Sequence, residues 1–374
     1  MPKAGGEEAG RSVGVDACTL SGYGTGVPKY VGPVLQGLCL QFPQVHFILY
    51  SYTDIHFPDL PNVTKRCSPQ GRIRGDLWRN TRLPSMVQRD RVDAFWGPDG
   101  MLPIWGLHNV RTVLTVHDLA HHFVPDTQSW KMNLRRALLQ RLSVRRANRN
   151  IAVSATTSRD MGTQYGRLAD YVVFPTCEAQ FQRLPREDIS VARRELDLPQ
   201  RFWLCVSTLE PRKNFVTLIS AYEACLARGL DLPTLVLVGG DGWKNSAIAD
   251  RVQAAISRGF VRRLGFVEDR LLPAIYALCE AFLMPSRYEG FGIPILEAQL
   301  CGAPVIHGSH GSMVEASGGL GFAVDTDQQS IERCLERLHS GEVPLACRLP
   351  SDTSIQSLAA AVAKMATALD LPQS

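Results

Sequence analysis

Short runs of β-branched and other apolar residues alternate along the chain with longer segments whose apolar positions recur every three to four residues. That alternation predicts an α/β protein built on parallel sheets. In the first half, residues 12–16, 45–50, 94–96, 110–116, 150–154 and 171–174 read as strands, with helices over 28–41, 130–147 and 158–165. A second series follows, with strands over 202–207, 234–238, 261–264, 281–285, 304–307 and 321–324, and helices near 214–228, 246–258, 270–278 and 293–300. The two series meet in the polar stretch 176–201, which holds Pro185 and Pro199. The expected organisation is a first domain over 1–185, a second over 186–353, and a closing segment over 354–374. This last segment reads as an Ala-rich helix over 354–369 that packs back on the first domain. Two doubly wound domains imply a ligand cleft at the carboxyl ends of their strands.

Composition narrows this picture without redirecting it. The 374 residues are 45% hydrophobic and 20% charged, ordinary for a globular protein with a sizeable core. No window approaches the roughly 18 consecutive apolar residues of a membrane span, and residues 1–11 lack a signal-peptide pattern; the expectation is a cytoplasmic protein. The ten cysteines are scattered, with no C-x-x-C pair, and read as small buried hydrophobes. A net charge of +4 gives no reason to expect a nucleic-acid partner. The basic residues are uneven, however. Arg135, Arg136, Arg141, Arg145, Arg146 and Arg149 crowd one predicted helix, and Arg141, Arg145 and Arg149 fall on an arc that overlaps Leu134, Leu138 and Leu142. Two readings stay open for that helix: a solvated or cleft-lining face, and contact with anionic lipid or phosphate, which would place the protein peripherally at the inner membrane.

The residues that carry chemistry fall at strand ends. The strand over 202–207 runs into Ser207-Thr-Leu-Glu-Pro-Arg-Lys-Asn214, where adjacent Arg212 and Lys213 can neutralise a diphosphate, one as a bidentate fork and the other as a point charge. The strand over 281–285 runs into Ser286-Arg-Tyr-Glu-Gly-Phe-Gly-Ile-Pro-Ile-Leu-Glu297. Here Gly290 and Gly292 let backbone approach a ligand just before a helix N-terminus suited to an anion. Glu289 and Glu297 can accept hydrogen bonds from sugar and ribose hydroxyls; a capped helix with an exposed glutamate is the plain alternative. In the first half, His117-Asp118-Leu119 follows a strand, with His121 and His122 close behind, but no carboxylate or cysteine set completes a metal site. Gly22-Tyr-Gly-Thr-Gly26 is a glycine-rich turn without the dinucleotide spacing G-x-G-x-x-G. Asp325-Thr-Asp327 reads as turn and N-cap chemistry rather than a metal-holding D-x-D.

Taken together, these motifs resemble glycosyltransferase family 4, also called the glycosyl transferases group 1 family, whose fold is GT-B: two Rossmann-like domains facing a central cleft. The likeness is dense over Leu204 to Asp325, through 207–214, 235–243, 264–267, 276–297, 301–306 and Glu315, and thinner in the first half, through 25–30, 115–119 and Val153-Ser154. Pro28 and Lys29 stand where the family's first loop carries a glycine and an arginine, and Thr176-Cys177 replaces its usual Asn-Gly. The resemblance implies a retaining hexosyltransferase that uses a nucleotide-sugar donor with no cofactor and no metal. It implies that Arg212 and Lys213 hold the donor diphosphate, Glu289 the donor sugar and Glu297 the ribose. Backbone of Gly290, Phe291, Gly292 and Ile293 would cradle phosphate and sugar, Gly26 would approach the diphosphate, and His117 would sit beside the reacting sugar. Likeness to bacterial surface-polysaccharide enzymes points to mannose from GDP-mannose passed to a glycan or lipid-linked glycan such as an O-antigen. GDP-D-rhamnose and UDP-glucose are the alternative donors. A non-catalytic nucleotide-sugar-binding subunit and a PLP-dependent phosphorylase are the alternatives of other classes.

Overall fold

The computed structural model describes residues 11–21, 26–68, 74–127, 129–242, 246–343 and 357–372. Most of the glycine-rich turn (22–25), Trp243, Cys347 and the start of the closing segment lie outside them. The chain divides into two units: residues 1–119, 134–176 and 356–374 form the first, and residues 120–133 and 177–355 the second.

The first unit is one seven-stranded sheet of β1 (Ser12–Asp16), β2 (His46–Ser51), β3 (Val63–Cys67), β4 (Ala94–Gly97), β5 (Arg111–Val116), β6 (Arg149–Ala152) and β7 (Tyr171–Val172). Its order is β3-β2-β1-β4-β5-β6-β7 and every pairing is parallel. Val13, Val15, Phe47, Leu49, Phe95 and Trp96 are fully buried, as strands covered on both faces require. The closing helix Leu358–Leu369 packs against helix Val27–Gln41. Gly37 permits the close approach, because a Cβ there would lie 2.5 Å from Val362.

Sequence periodicity does not reveal two elements of this unit. Helix Gly75–Asp90 carries Pro84 inside it and buries Trp78, Leu83 and Val87 in the core. Strand β3 is a polar edge strand with no buried residue. One expectation needs correcting: the arginine-rich helix is Trp130–Arg146, and Arg149 begins strand β6 instead of extending it.

The second unit holds a six-stranded sheet of β8 (Phe202–Val206), β9 (Thr234–Val238), β10 (Val261–Gly265), β11 (Ala281–Met284), β12 (Val305–Gly308) and β13 (Phe322–Val324). The order is β10-β9-β8-β11-β12-β13, again wholly parallel. Trp203, Phe215, Ile219, Tyr222, Leu235 and Leu237 anchor its core. The polar stretch in which the two series meet contains helix Arg186–Glu195. Beyond Asp325-Thr-Asp327 the chain continues as helix Gln328–His339, with Ile331, Cys334, Leu335 and Leu338 turned inward. Asp327 caps that helix by accepting the Ser330 N–H at 2.9 Å.

Six of the nine described cysteines are buried, and Cys67 on β3 is exposed. No helix among the described residues is long and apolar enough to cross a membrane.

Candidate active site

In the second unit the strand order reverses at β8, whose neighbours are β9 and β11. The carboxyl ends flanking such a reversal are where open α/β sheets take their ligands. The chain leaving β8 makes a single 3-10 turn, Pro211–Lys213, that presents Arg212 and Lys213. The chain leaving β11 presents Glu289. The Arg287 N–H donates to the Arg212 carbonyl at 2.9 Å and ties the two loops together. The side chains then close into one cluster. Lys213 Nζ donates to Glu289 Oε1 at 2.6 Å, and Arg212 Nη1 to Glu289 Oε2 at 2.5 Å. Arg212 Nε donates to Glu210 Oε2 at 3.0 Å, and Glu210 also accepts from the Thr208 hydroxyl at 2.7 Å.

Lys213 and Glu289 are 9% and 6% exposed, so both charges are nearly out of water. Burial alone would raise the Glu289 carboxyl, but Arg212 and Lys213 outweigh it and hold the group down to about 2. Burial, joined by the like charge of Arg212, pushes Lys213 below the usual lysine range against the pull of Glu289. Two cations and two carboxylates thus form a fixed lattice at the sheet reversal.

From Glu289 the chain passes Gly290 and Phe291 to Gly292, the N-cap of helix Ile293–Cys301. Gly292 has φ 118°, a conformation that L side chains rarely adopt, and a Cβ there would lie 3.0 Å from Ile295 Cδ1. No side chain caps this N-terminus. Glu297 lies one turn in and is 2% exposed; its Oε2 accepts from the Tyr276 hydroxyl at 2.9 Å. The loop is held from two sides. The Ser312 hydroxyl donates to the Glu289 carbonyl at 2.6 Å. On the other side, Arg287 forks onto Asp126 at 2.5 and 3.3 Å, and Phe123 stacks on Tyr288 with ring centroids 5.1 Å apart. The second unit therefore brings Arg212, Lys213 and Glu289 into direct contact, and carries Gly290, Phe291, Gly292, Ile293 and Glu297 on the loop and helix that continue from them. Tyr276, Ser312 and Glu210, which support them, have no motif that singles them out in the sequence.

In the first unit His117 follows β5. Its Nε2 donates to the Pro98 carbonyl at 2.6 Å, which fixes the tautomer and leaves Nδ1 an acceptor. Burial lowers its pKa to about 4, so the ring is neutral at ordinary pH. Tyr30, in the first turn of the helix that Gly26 starts, meets the His117 ring edge-on at 5.2 Å. Gly26 itself sits at φ 81°.

A buried network that sequence reasoning missed lies at the carboxyl ends of β1 and β4, where this sheet's order also reverses. Arg79 donates to Asp16 at 2.8 Å, to Asp99 at 2.5 Å and to Asp76 at 3.2 Å. The only available signal was an arginine inside an unrecognised helix. Among the described residues no group of three or more His, Cys, Asp or Glu side chains is placed to share a metal ion.

Comparisons with known proteins agree with this arrangement. Residues 25–177 match the family described as Glycosyltransferase Family 4, and residues 200–340 match Glycosyl transferases group 1. The chain is 31% identical over 251 residues to O-antigen chain mannosyltransferase B of Escherichia coli, covering 65% of this chain and 64% of that protein. It is 29% identical over 241 residues to serotype-specific mannosyltransferase WbdA of Escherichia coli, covering 62% of this chain and 29% of that one. The match therefore spans less than two thirds of the length of these curated relatives. A GDP-mannose-dependent alpha-(1-6)-phosphatidylinositol monomannoside mannosyltransferase of Mycobacterium tuberculosis is 32% identical over 137 residues, 35% of each chain. Among solved structures, Anabaena HepE in complex with UDP and glucose superposes with a TM-score of 0.71 at 20% identity, covering 97% of this chain and all of that one. WaaG, a glycosyltransferase involved in lipopolysaccharide biosynthesis, gives 0.74 at 15% identity, covering 96% and 100%. These likenesses show the GT-B fold. Between them the two family matches span most of the chain, which belongs to the family 4, group 1 glycosyltransferases.

Proposed function

We propose that this chain is a retaining, metal-independent hexosyltransferase that moves mannose from GDP-mannose to a growing glycan or lipid-linked glycan, such as an O-antigen. On this reading it works in the cytoplasm, peripherally at the inner membrane. The observation that carries the reading is the Arg212–Glu289–Lys213 cluster, set at a sheet reversal and leading into an uncapped helix N-terminus. The mannose assignment is supported by the mannosyltransferases among the relatives.

Each group has a stated part. Breaking the bond from sugar C1 to phosphate leaves negative charge on the departing nucleotide diphosphate. Arg212 and Lys213, already immobilised by Glu210 and Glu289, stabilise that charge without reorganising, which is the task a divalent cation performs elsewhere. The N-terminal end of helix Ile293–Cys301 adds to this through the Ile293 N–H and the helix dipole, since Pro294 has no N–H and Ile295 donates its own to the Gly292 carbonyl. Glu289 accepts from the donor sugar's hydroxyls and offsets positive charge developing at C1; Glu297 accepts from the ribose. Neutral His117, with Nδ1 as acceptor, orients a sugar hydroxyl.

The test is a binding and turnover screen of the purified chain across GDP-, UDP- and dTDP-sugars in the presence of a chelator. Tight binding and hydrolysis or transfer of GDP-mannose are expected, together with retained anomeric configuration by NMR. UDP-glucose or GDP-D-rhamnose as the preferred donor would replace the mannose assignment. An inverted linkage, or activity restored only by Mn²⁺, would overturn the mechanism, and binding without turnover the enzymatic reading. With Arg212→Ala and Lys213→Ala together, donor affinity should fall at least a hundredfold, at about tenfold or more per charged hydrogen bond.

A further inference from the structure

Helix Trp130–Arg146 does not follow the usual rule that an amphipathic helix turns its apolar stripe inward. From residue 134 on, where it belongs to the first unit, its buried side is Gln140, Ser143 and Val144, while Leu134, Leu138 and Leu142 are 53%, 54% and 44% exposed. Spaced four residues apart, these leucines form one continuous row on the outer face. On the helix surface Arg141 and Arg145, three residues after Leu138 and Leu142, border the row on one side, Arg135, three before Leu138, borders it on the other, and Arg146 continues the row one turn on. The helix has no acidic residue. Arg141, Arg145 and Arg146 make no side-chain ion pair or hydrogen bond among the described residues. Arg135 pairs with Asp76 at the start of helix Gly75–Asp90. The chain's net charge is only +4, so this basic surface, on which Asp76 meets Arg135, is a local concentration.

Sequence projection alone, which places arginines on the arc of the leucines, speaks against a membrane helix because the two classes do not separate. The structure changes the meaning of that overlap. Both classes point to solvent, and the polar side chains Gln140 and Ser143 point in. A leucine row a few ångströms deep with arginines on both borders fits a bilayer interface. The leucines enter the acyl boundary, and the arginine stems extend along the surface to place their guanidinium groups at lipid phosphates. A nucleic acid would use the arginines but leave the leucines in water.

We propose that this face of the helix, Leu134–Arg146, docks the chain on an anionic lipid bilayer. The inference supplies the surface for the peripheral placement stated above and does not depend on glycosyl transfer, because its test reads binding to lipid without any donor. The full-length chain is sedimented with vesicles of phosphatidylglycerol and phosphatidylethanolamine, and with vesicles of phosphatidylcholine alone. The expected result is salt-sensitive co-sedimentation with the first only. Arg141→Gln, Arg145→Gln and Arg146→Gln combined should weaken partitioning roughly a hundredfold, at about fivefold per arginine. Leu134→Ser, Leu138→Ser and Leu142→Ser combined should abolish it while leaving retention on heparin unchanged. All these side chains are exposed, so both variants should melt with the parent. Equal binding to phosphatidylcholine, full binding by either variant, or retention on heparin without any vesicle binding would overturn the proposal; the last would indicate a soluble polyanion as the occupant.

Discussion

Glu289→Gln is the substitution that most directly tests the charge lattice. The carboxylate is 6% exposed and its pKa is held to about 2, against about 4.5 for a free glutamate. A depression of that size is worth about 3 kcal/mol, at about 1.36 kcal/mol per unit. Removing one member of a buried ion pair costs about 3–5 kcal/mol, which agrees. Because the folded pKa lies below the unfolded one, this stability is fully present above about pH 4.5 and is lost as pH falls toward 2. Glu289→Gln should therefore lower the melting transition of the second unit by roughly 6–12 °C at pH 7, at about 2–4 °C per kcal/mol for a domain of this size. Its deficit should narrow below pH 4.5. The double variant Glu289→Gln, Lys213→Met, which leaves neither charge buried alone, should be less destabilised than the sum of the two single variants. Calorimetry from pH 7 to pH 3 measures all three quantities. A Glu289→Gln protein that melts with the parent at pH 7, a deficit that is constant with pH, or strictly additive single variants would show that the cluster is not a coupled charge lattice.

Four further outcomes are expected. With His117 held neutral down to about pH 4, the pH–rate profile should show no His117 inflection near 6.5, and His117→Gln should lower the rate without changing the profile between pH 5 and 8; an inflection near 6.5 that this variant removes would refute the assignment. Gly292→Ala forces a Cβ into a backbone with φ 118° and against Ile295; a loss of about 1–2 kcal/mol in thermal unfolding, with weaker donor binding, is expected. Tyr276→Phe removes the hydroxyl that donates to buried Glu297, so affinity for the ribonucleotide should drop severalfold while affinity for the 2′,3′-dideoxy analogue stays constant. Finally, an ammonium has three donors, and Lys213 has one on Glu289, whereas Arg212 divides its donors among Glu210, Glu289 and the Tyr288 carbonyl. Lys213→Ala should therefore fall mainly on kcat, and Arg212→Ala on both stability and KM; equal kinetic profiles would contradict that division.

Element by element, the fold was legible where burial on both faces writes a continuous apolar run. Thr234–Val238 is such a run and stands at the bounds that periodicity gives. Legibility failed where tertiary context supplies what local sequence lacks. Helix Gly75–Asp90 contains a proline that argues against a helix, and it is stabilised through Trp78, Leu83 and Val87 packing into the core. Strand Val63–Cys67 keeps its place by backbone pairing to β2 and by polar contacts such as Thr64 with His46 and Lys65 with Asp59, with no buried side chain to mark it. Helix Arg186–Glu195 is dominated by charged residues, and its surroundings read as the polar stretch between the two series for that reason. Helix Gln328–His339, by contrast, shows its period openly in Ile331, Cys334, Leu335 and Leu338.

The candidate site divides along the same line. Arg212-Lys213 and Glu289-Gly-Phe-Gly292 are legible because strand-end position and residue type are local properties. Their contact is not local. Lys213 and Glu289 are 76 residues apart, and what joins them is the parallel pairing of β8 with β11, a pairing that skips β9 and β10. A chain order of β8-β9-β10-β11 says nothing by itself about which strand ends share an edge. The reversal at β8 decides it, and the same step puts an arginine, a lysine and a glutamate within hydrogen-bonding distance. In the first unit the reversal at β1 likewise places Asp16 beside the β4 end that leads to Asp99, with Arg79 bridging them. There the bridging arginine comes from a helix that periodicity does not disclose. One reversal is thus fed by two recognisable strand-end motifs and the other by a hidden helix, and this difference accounts for a second-unit cluster legible in the sequence and a first-unit network that is not.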